Sequence, residues 1–109
     1  MATLDSKLAV KALAALAHET RLAVFRLLVT AGPSGMSPGS IAEKLELPAP
    51  TLSFHLKELA HSGLIEGKSQ GRFIMYCANY DHMQTLVDFL MENCCAAEQC
   101  ACANDEAEV

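Results

Sequence analysis

No lysine or arginine follows Arg72, although the chain runs on for another 37 residues to Val109. No Cys-x-x-Cys pair is present, nor any glycine loop of the kind that cradles phosphate, so the usual frames for thiol-disulfide exchange and nucleotide chemistry are missing. The opening stretch, MATLDSKLAVKALAAL, is interrupted by lysine or aspartate every few residues. It reads neither as the apolar core of an export signal nor as a membrane span, and a cytoplasmic location with no membrane partner is the expectation. Thiols there are kept reduced, and five cysteines is an odd number for a disulfide framework. No internal repeat or low-complexity linker breaks the sequence, whose 109 residues suit one domain with a modest core. At 51% apolar and 19% charged residues, the composition is that of a globular protein.

The net charge of −5 at first argues against a polyanionic partner, but the charge is segregated. Residues 1–78 hold all eight basic residues and six acids, for +2, whereas residues 79–109 hold seven acids and no basic residue, for −7. Local patches set such binding, so a mildly basic body with a separate acidic end can still present a positive face. Hydrophobic spacing predicts the elements. Leu4, Leu8, Ala12, Leu13, Ala15 and Leu16 form a wide helical stripe. Leu22, Phe25, Leu28 and Val29 form a second, stopped at Gly32-Pro33. A short helix starts at Ser37 with Pro38 in its favoured first position. After the break ELPAP, kept non-helical by Pro48 and Pro50, a helix runs to Gly63. Two apolar strands then flank a turn at Lys68-Ser69-Gln70-Gly71. Met83, Leu86, Val87, Leu90 and Met91 mark a last helix. The expectation is a mainly α fold with a small β-hairpin, a winged helix-turn-helix whose second paired helix enters the DNA major groove.

On a 100° wheel, Leu52, Leu56 and Leu59 share the inward side of that helix. Thr51, Phe54, Lys57 and Glu58 face outward, with Ser53 and His55 on the flanks. The hydroxyls can reach phosphates or base edges, Lys57 can neutralise phosphate and Phe54 can touch a thymine methyl. Arg72, beside the hairpin tip with Lys68 and Gln70, suits phosphate or the neighbouring minor groove. The candidate DNA-binding residues are therefore Thr51, Ser53, Phe54, His55, Lys57, Lys68, Gln70 and Arg72.

Two separated stretches, ALAHETRLAVFRLL (15–28) and LSFHLKELAHSGLIEGKSQGRFIMY (52–76), resemble the ArsR/SmtB family of winged-helix metalloregulatory repressors. The resemblance covers residues 5–92 and implies a homodimer built through the first and last helices. It also implies inverted operator half-sites and release of DNA when an inducer binds. The domain reading is a DNA-binding and dimerisation domain over residues 1–96 and a cysteine-containing acidic tail over 97–109.

Within that resemblance the cysteines become interpretable. The stretch PGSIAEKLEL holds no cysteine, so the family's Cys-x-Cys site in the first paired helix is absent. Asp81, His82 and Glu92, with one histidine on the last helix, make its zinc site there incomplete. The cluster NCCAAEQCAC resembles the arrangement in arsenite-responsive members, and implies Cys94, Cys95 and Cys100 as ligands with Cys102 competing or additional. Thiolates select soft ions: As(III) or Sb(III) take three in a pyramid, zinc or cadmium four in a tetrahedron. Adjacent side chains on a helix diverge by about 100°, so Cys94 and Cys95 share an ion only where the helix ends, and Asn93 tolerates the αL turn that would end it. Cys77, alone in a strand, reads as a small buried hydrophobe. The expected function is a metalloid-responsive repressor, with redox or persulfide sensing and Zn/Cd sensing as alternatives on the same fold, and catalysis not expected.

Overall fold

The structure, a computed structural model, describes residues 4–97. Five helices and a two-stranded hairpin follow in the order α1 (Ser6–Leu16), α2 (Glu19–Ala31), α3 (Pro38–Leu45), α4 (Ala49–His61), β1 (Ile65–Gln70), β2 (Phe73–Ala78) and α5 (Tyr80–Met91). This is a winged helix-turn-helix, as the hydrophobic spacing predicts.

Side-chain caps set most helix starts. Asp5 accepts from the Leu8 amide at 2.9 Å, Ser37 from Ser40 at 3.2 Å, and Asn79 from His82 at 3.1 Å. Each satisfies one of the amides that the first helical turn leaves unpaired. Pro38 occupies the first turn of α3, where its missing N–H costs nothing. Pro50 does the same in α4, so it lies inside the helix rather than in the break before it.

The core is formed where α1, α2, α3 and α4 converge. Val24, Leu28, Ile41, Leu52, Leu59, Leu64 and Leu86 are fully buried at its centre. The first helix departs from the sequence expectation. Its buried face is Ala9, Ala12 and Ala15, whose small side chains let it lie close to its neighbours, whereas Leu8 and Leu13 face outward. Leu22 and Val29 of α2 are likewise exposed. Periodicity locates an apolar stripe but does not say whether the same chain covers it.

The hairpin also differs from expectation. β1 extends through Gln70, which pairs with Phe73, leaving Gly71-Arg72 as a two-residue turn. Gly71 has φ 67°, the glycine conformation that a tight hairpin turn of matching twist takes at its first position. Beyond the hairpin, Met36 pairs with Tyr76 through reciprocal 2.8 Å amide–carbonyl bonds, tying the α2–α3 linker to β2. Gly35 sits just before that bridge at φ 76°, and a Cβ there would collide with the Tyr76 carbonyl. Among the described residues, no helix is long and apolar enough to cross a membrane.

Gly35→Ala combines a left-handed backbone with a backbone clash, and is expected to cost about 3 kcal/mol. Urea denaturation should show a lower midpoint with the slope unchanged. An unchanged midpoint would mean that the linker moves away from β2 at no cost.

Candidate nucleic-acid interface and thiol pair

The turn between α3 and α4 places the second helix. Glu46 closes α3 in the αL conformation (φ 54°), and the Leu47 amide returns to the Ala42 carbonyl at 3.0 Å. Pro48, with an extended ψ of 145°, then directs the chain into α4. Leu52, Leu56 and Leu59 bury one side of α4, each no more than 3% exposed. That burial turns Thr51, Ser53, Phe54 and Lys57 to the outside. Phe54, at 56% exposure, is a large apolar side chain facing water on a helix whose opposite side has a full core. Lys68 and Gln70 near the end of β1 and Arg72 in the turn are exposed on the same hairpin, beside a 66%-exposed Phe73. Between α4 and the hairpin lies an open groove of about 410 Å³ lined by Ser53, Leu56, Lys57, His61, Tyr76 and Pro38 of α3.

His55 is a correction. The helical wheel puts it on a flank of the outer face, but it is 7% exposed and belongs to the packed side. Arg21 of α2 approaches its Nδ1 at 3.4 Å, and the His18 ring lies 4.8 Å away between centroids. The buried arc of α4 is wider than its leucine stripe because the α1–α2 corner closes over that flank. His55 is therefore a seat for α4 rather than a group that reaches outward. Burial first, then the neighbouring His18 and Arg21, hold its pKa below the ordinary 6.5, against the opposing pull of Glu58.

A second constellation lies past the end of α5. The helix stops at Met91, and Asn93 (φ 60°) and Cys95 (φ 63°) both take the left-handed conformation. Two turn bonds, Cys94 amide to Met91 carbonyl at 2.9 Å and Ala96 amide to Asn93 carbonyl at 3.0 Å, hold this exit. The result brings the Cys94 and Cys95 Sγ atoms to 3.5 Å, side by side instead of diverging around a helix. Cys94 is exposed and Cys95 half-buried. A tetrahedral ion with Zn–S bonds of about 2.3 Å spaces two sulfurs about 3.8 Å apart, and a narrower pyramidal angle shortens that edge. The observed gap therefore suits two thiolates on one soft ion. A disulfide between neighbours suits it less, since adjacent Cα atoms about 3.8 Å apart fall short of the usual span of about 4.4–6.8 Å.

Cys100 and Cys102 lie outside the described residues, and no cluster of three or more metal-ligating side chains forms within them. Asp81 and His82 start α5 and Glu92 follows its end, so about 16 Å of helix separates them within one chain. Cys77 is buried in β2 at 5% exposure, as a small apolar residue.

Residues 16–68 match a family described as a helix-turn-helix domain. The uncharacterized HTH-type transcriptional regulator YceK of Bacillus subtilis (strain 168) is 30% identical over 88 residues, which cover 81% of this chain and 87% of that protein. Among solved structures, the ArsR-like transcriptional regulator from Rhodococcus sp. RHA1 superposes with a TM-score of 0.76 at 24% identity, covering 94% of this chain and 93% of its own. HlyU from Vibrio cholerae N16961 gives a TM-score of 0.65 at 28% identity, over 83% and 95% of the two chains.

The difference in exposure has a direct chemical readout. A soluble disulfide reagent applied to the native, reduced protein should label Cys94 within minutes and spare Cys77 until denaturant is added. Mass spectrometry of the digest checks this, and rapid labelling of Cys77 would show that β2 opens readily.

Proposed function

This chain belongs to the HTH-type transcriptional regulators, and on that premise we propose that it is a metalloid-responsive repressor. Its fold is the winged helix-turn-helix of ArsR-like regulators, with α4 as the helix that reads DNA. The observation that carries the metalloid reading is the paired thiol geometry at the end of α5, where two left-handed residues set neighbouring sulfurs 3.5 Å apart.

Two copies of the chain form the working unit. Leu8, Val10 and Leu13 of α1 and Val87, Leu90 and Met91 of α5 leave apolar surface exposed on two helices that touch each other. Such a face is covered most simply by its own copy about a two-fold axis, which holds the two α4 helices about one DNA turn (~34 Å) apart. Thr51, Ser53 and Phe54 then meet base edges, and Lys57, Lys68, Gln70 and Arg72 hold the phosphates on either side.

Cys94, Cys95 and Cys100 take up As(III) or Sb(III), with Cys102 as competitor or spare. Thiolates are the ligating form, so uptake releases protons and weakens as the medium becomes acid. Because the sulfurs sit at the exit of a helix that lies against α1, drawing a third thiolate onto the pair re-sets the end of α5 and with it the dimer face. A coupling of about 1–3 kcal/mol suffices, and DNA must weaken metalloid uptake by the same factor.

Two outcomes are expected from fluorescence anisotropy on the protein's own promoter DNA in reducing buffer. Arsenite releases the DNA, and Cys94→Ser or Cys95→Ser raises the arsenite needed at least tenfold. Release by zinc or by oxidant, with arsenite inert, would turn the reading toward the Zn/Cd or redox alternative. Lys57→Ala should weaken DNA of any sequence several-fold and reduce the salt slope by about 1. An unchanged slope would remove Lys57 from the phosphate contacts.

A further inference from the structure

The seat beneath α4 is built from groups that titrate. Arg21 is anchored first, its Nε donating to the Ala15 carbonyl at the end of α1 at 2.8 Å. Its Nη1 then reaches across to His55 Nδ1 of α4 at 3.4 Å. A guanidinium carries donors only, so this contact requires Nδ1 to offer a lone pair. Imidazolium would put donor against donor and cation against cation in a site that is 7% exposed. His18 adds to the constraint. It starts α2 by accepting from the Thr20 amide at Nδ1, at 3.2 Å, which also requires an unprotonated nitrogen, and its ring lies against His55. On its other side the His55 ring meets Phe54 edge-on, with centroids 5.6 Å apart, and Phe54 stands on the DNA-reading face.

We propose that Arg21 and His55 are positioning residues for DNA recognition, and that the neutral imidazole of His55 is what keeps α4 and Phe54 in the reading geometry. The inference rests on α4 being the DNA-reading helix, and adds acid sensitivity to it. The charged and titratable groups facing His55 are His18 at the α1–α2 corner, Arg21 on α2 and Glu58 on α4 itself. Glu58 is the one group of the three that favours a proton on His55, and burial with the other two outweighs it. The sign follows from linkage. With its pKa depressed in the folded protein, His55 contributes a stabilisation that is present above the ordinary value of 6.5 and is lost as pH falls through the lower folded value. Simple electrostatics predicts the reverse for affinity, because acidification adds positive charge to the protein and so favours phosphate.

The test is anisotropy of the full chain on its promoter DNA from pH 8 to 5.5 at fixed ionic strength, without metalloid, together with NMR of the histidine rings. Wild-type affinity is expected to fall on acidification, by at most about tenfold per pH unit for each proton taken up. His55→Asn keeps an acceptor near the Nδ1 position and does not titrate. It should bind within about threefold of wild type at pH 8 and lose that fall. In the free wild-type protein, the His55 ring should titrate below the ordinary histidine range. Wild-type affinity that is flat or rises with acid, or an ordinary titration of the His55 ring, would overturn the inference. So would a His55→Asn variant that keeps the same fall. Absence of DNA binding already at pH 8 would instead overturn the assignment of α4 to DNA, and the ring titration would still judge the seat on its own.

Discussion

The burial of one side of α4 is the constraint on which the rest of the molecule depends. Leu52, Leu56 and Leu59 are each worth about 2–5 kcal/mol against truncation to alanine, a large part of the stability of a chain this size. Because their side of the helix is so strongly specified, the opposite side has one orientation only. An aromatic ring, two hydroxyls and an ammonium are thereby turned toward solvent, the Phe54 ring also meeting His55 edge-on. The exposed face of α4 is a by-product of the core.

The other elements extend that logic. α2 packs against both α1 and α4 and contributes apolar packing, through Val24, Phe25 and Leu28, and a polar contact to α4, through Arg21. The Asn79 amide donates to the Leu64 carbonyl at 2.8 Å, so α5 begins where α4 has just ended. Tyr80 donates its hydroxyl to the Val29 carbonyl at 3.1 Å, which fixes the same helix to the end of α2. The thiol pair and α4 are thus separated by the length of α5 yet joined at its first turn.

Much of this was legible in the sequence where a local rule decides the outcome. Ser37-Pro38 starts α3 because capping and proline chemistry act within one turn, and Asn93 ends in αL because it tolerates that conformation. His55 was not legible in the same way. The wheel knows the angle of a residue on its own helix, whereas burial depends on how far round the neighbouring helices reach. Leu8, Leu13, Leu22 and Val29 show the same gap, being apolar yet exposed among the described residues. The hairpin turn lies two residues beyond the one that Lys68-Ser69-Gln70-Gly71 suggests, since only strand pairing distinguishes Gln70 from the turn proper. Cys100 and Cys102 fall outside the described residues.

The wing is rooted at its base and bare toward its tip. Ile65, Cys77 and Ala78 are buried where the ribbon leaves the body, and every residue from Glu66 to Ile74 is exposed. Substitutions in that tip therefore change what the protein touches without disturbing what keeps it folded. A ribbon built this way tolerates a range of side chains at its tip, whereas each leucine on the buried side of α4 has one shape to fill.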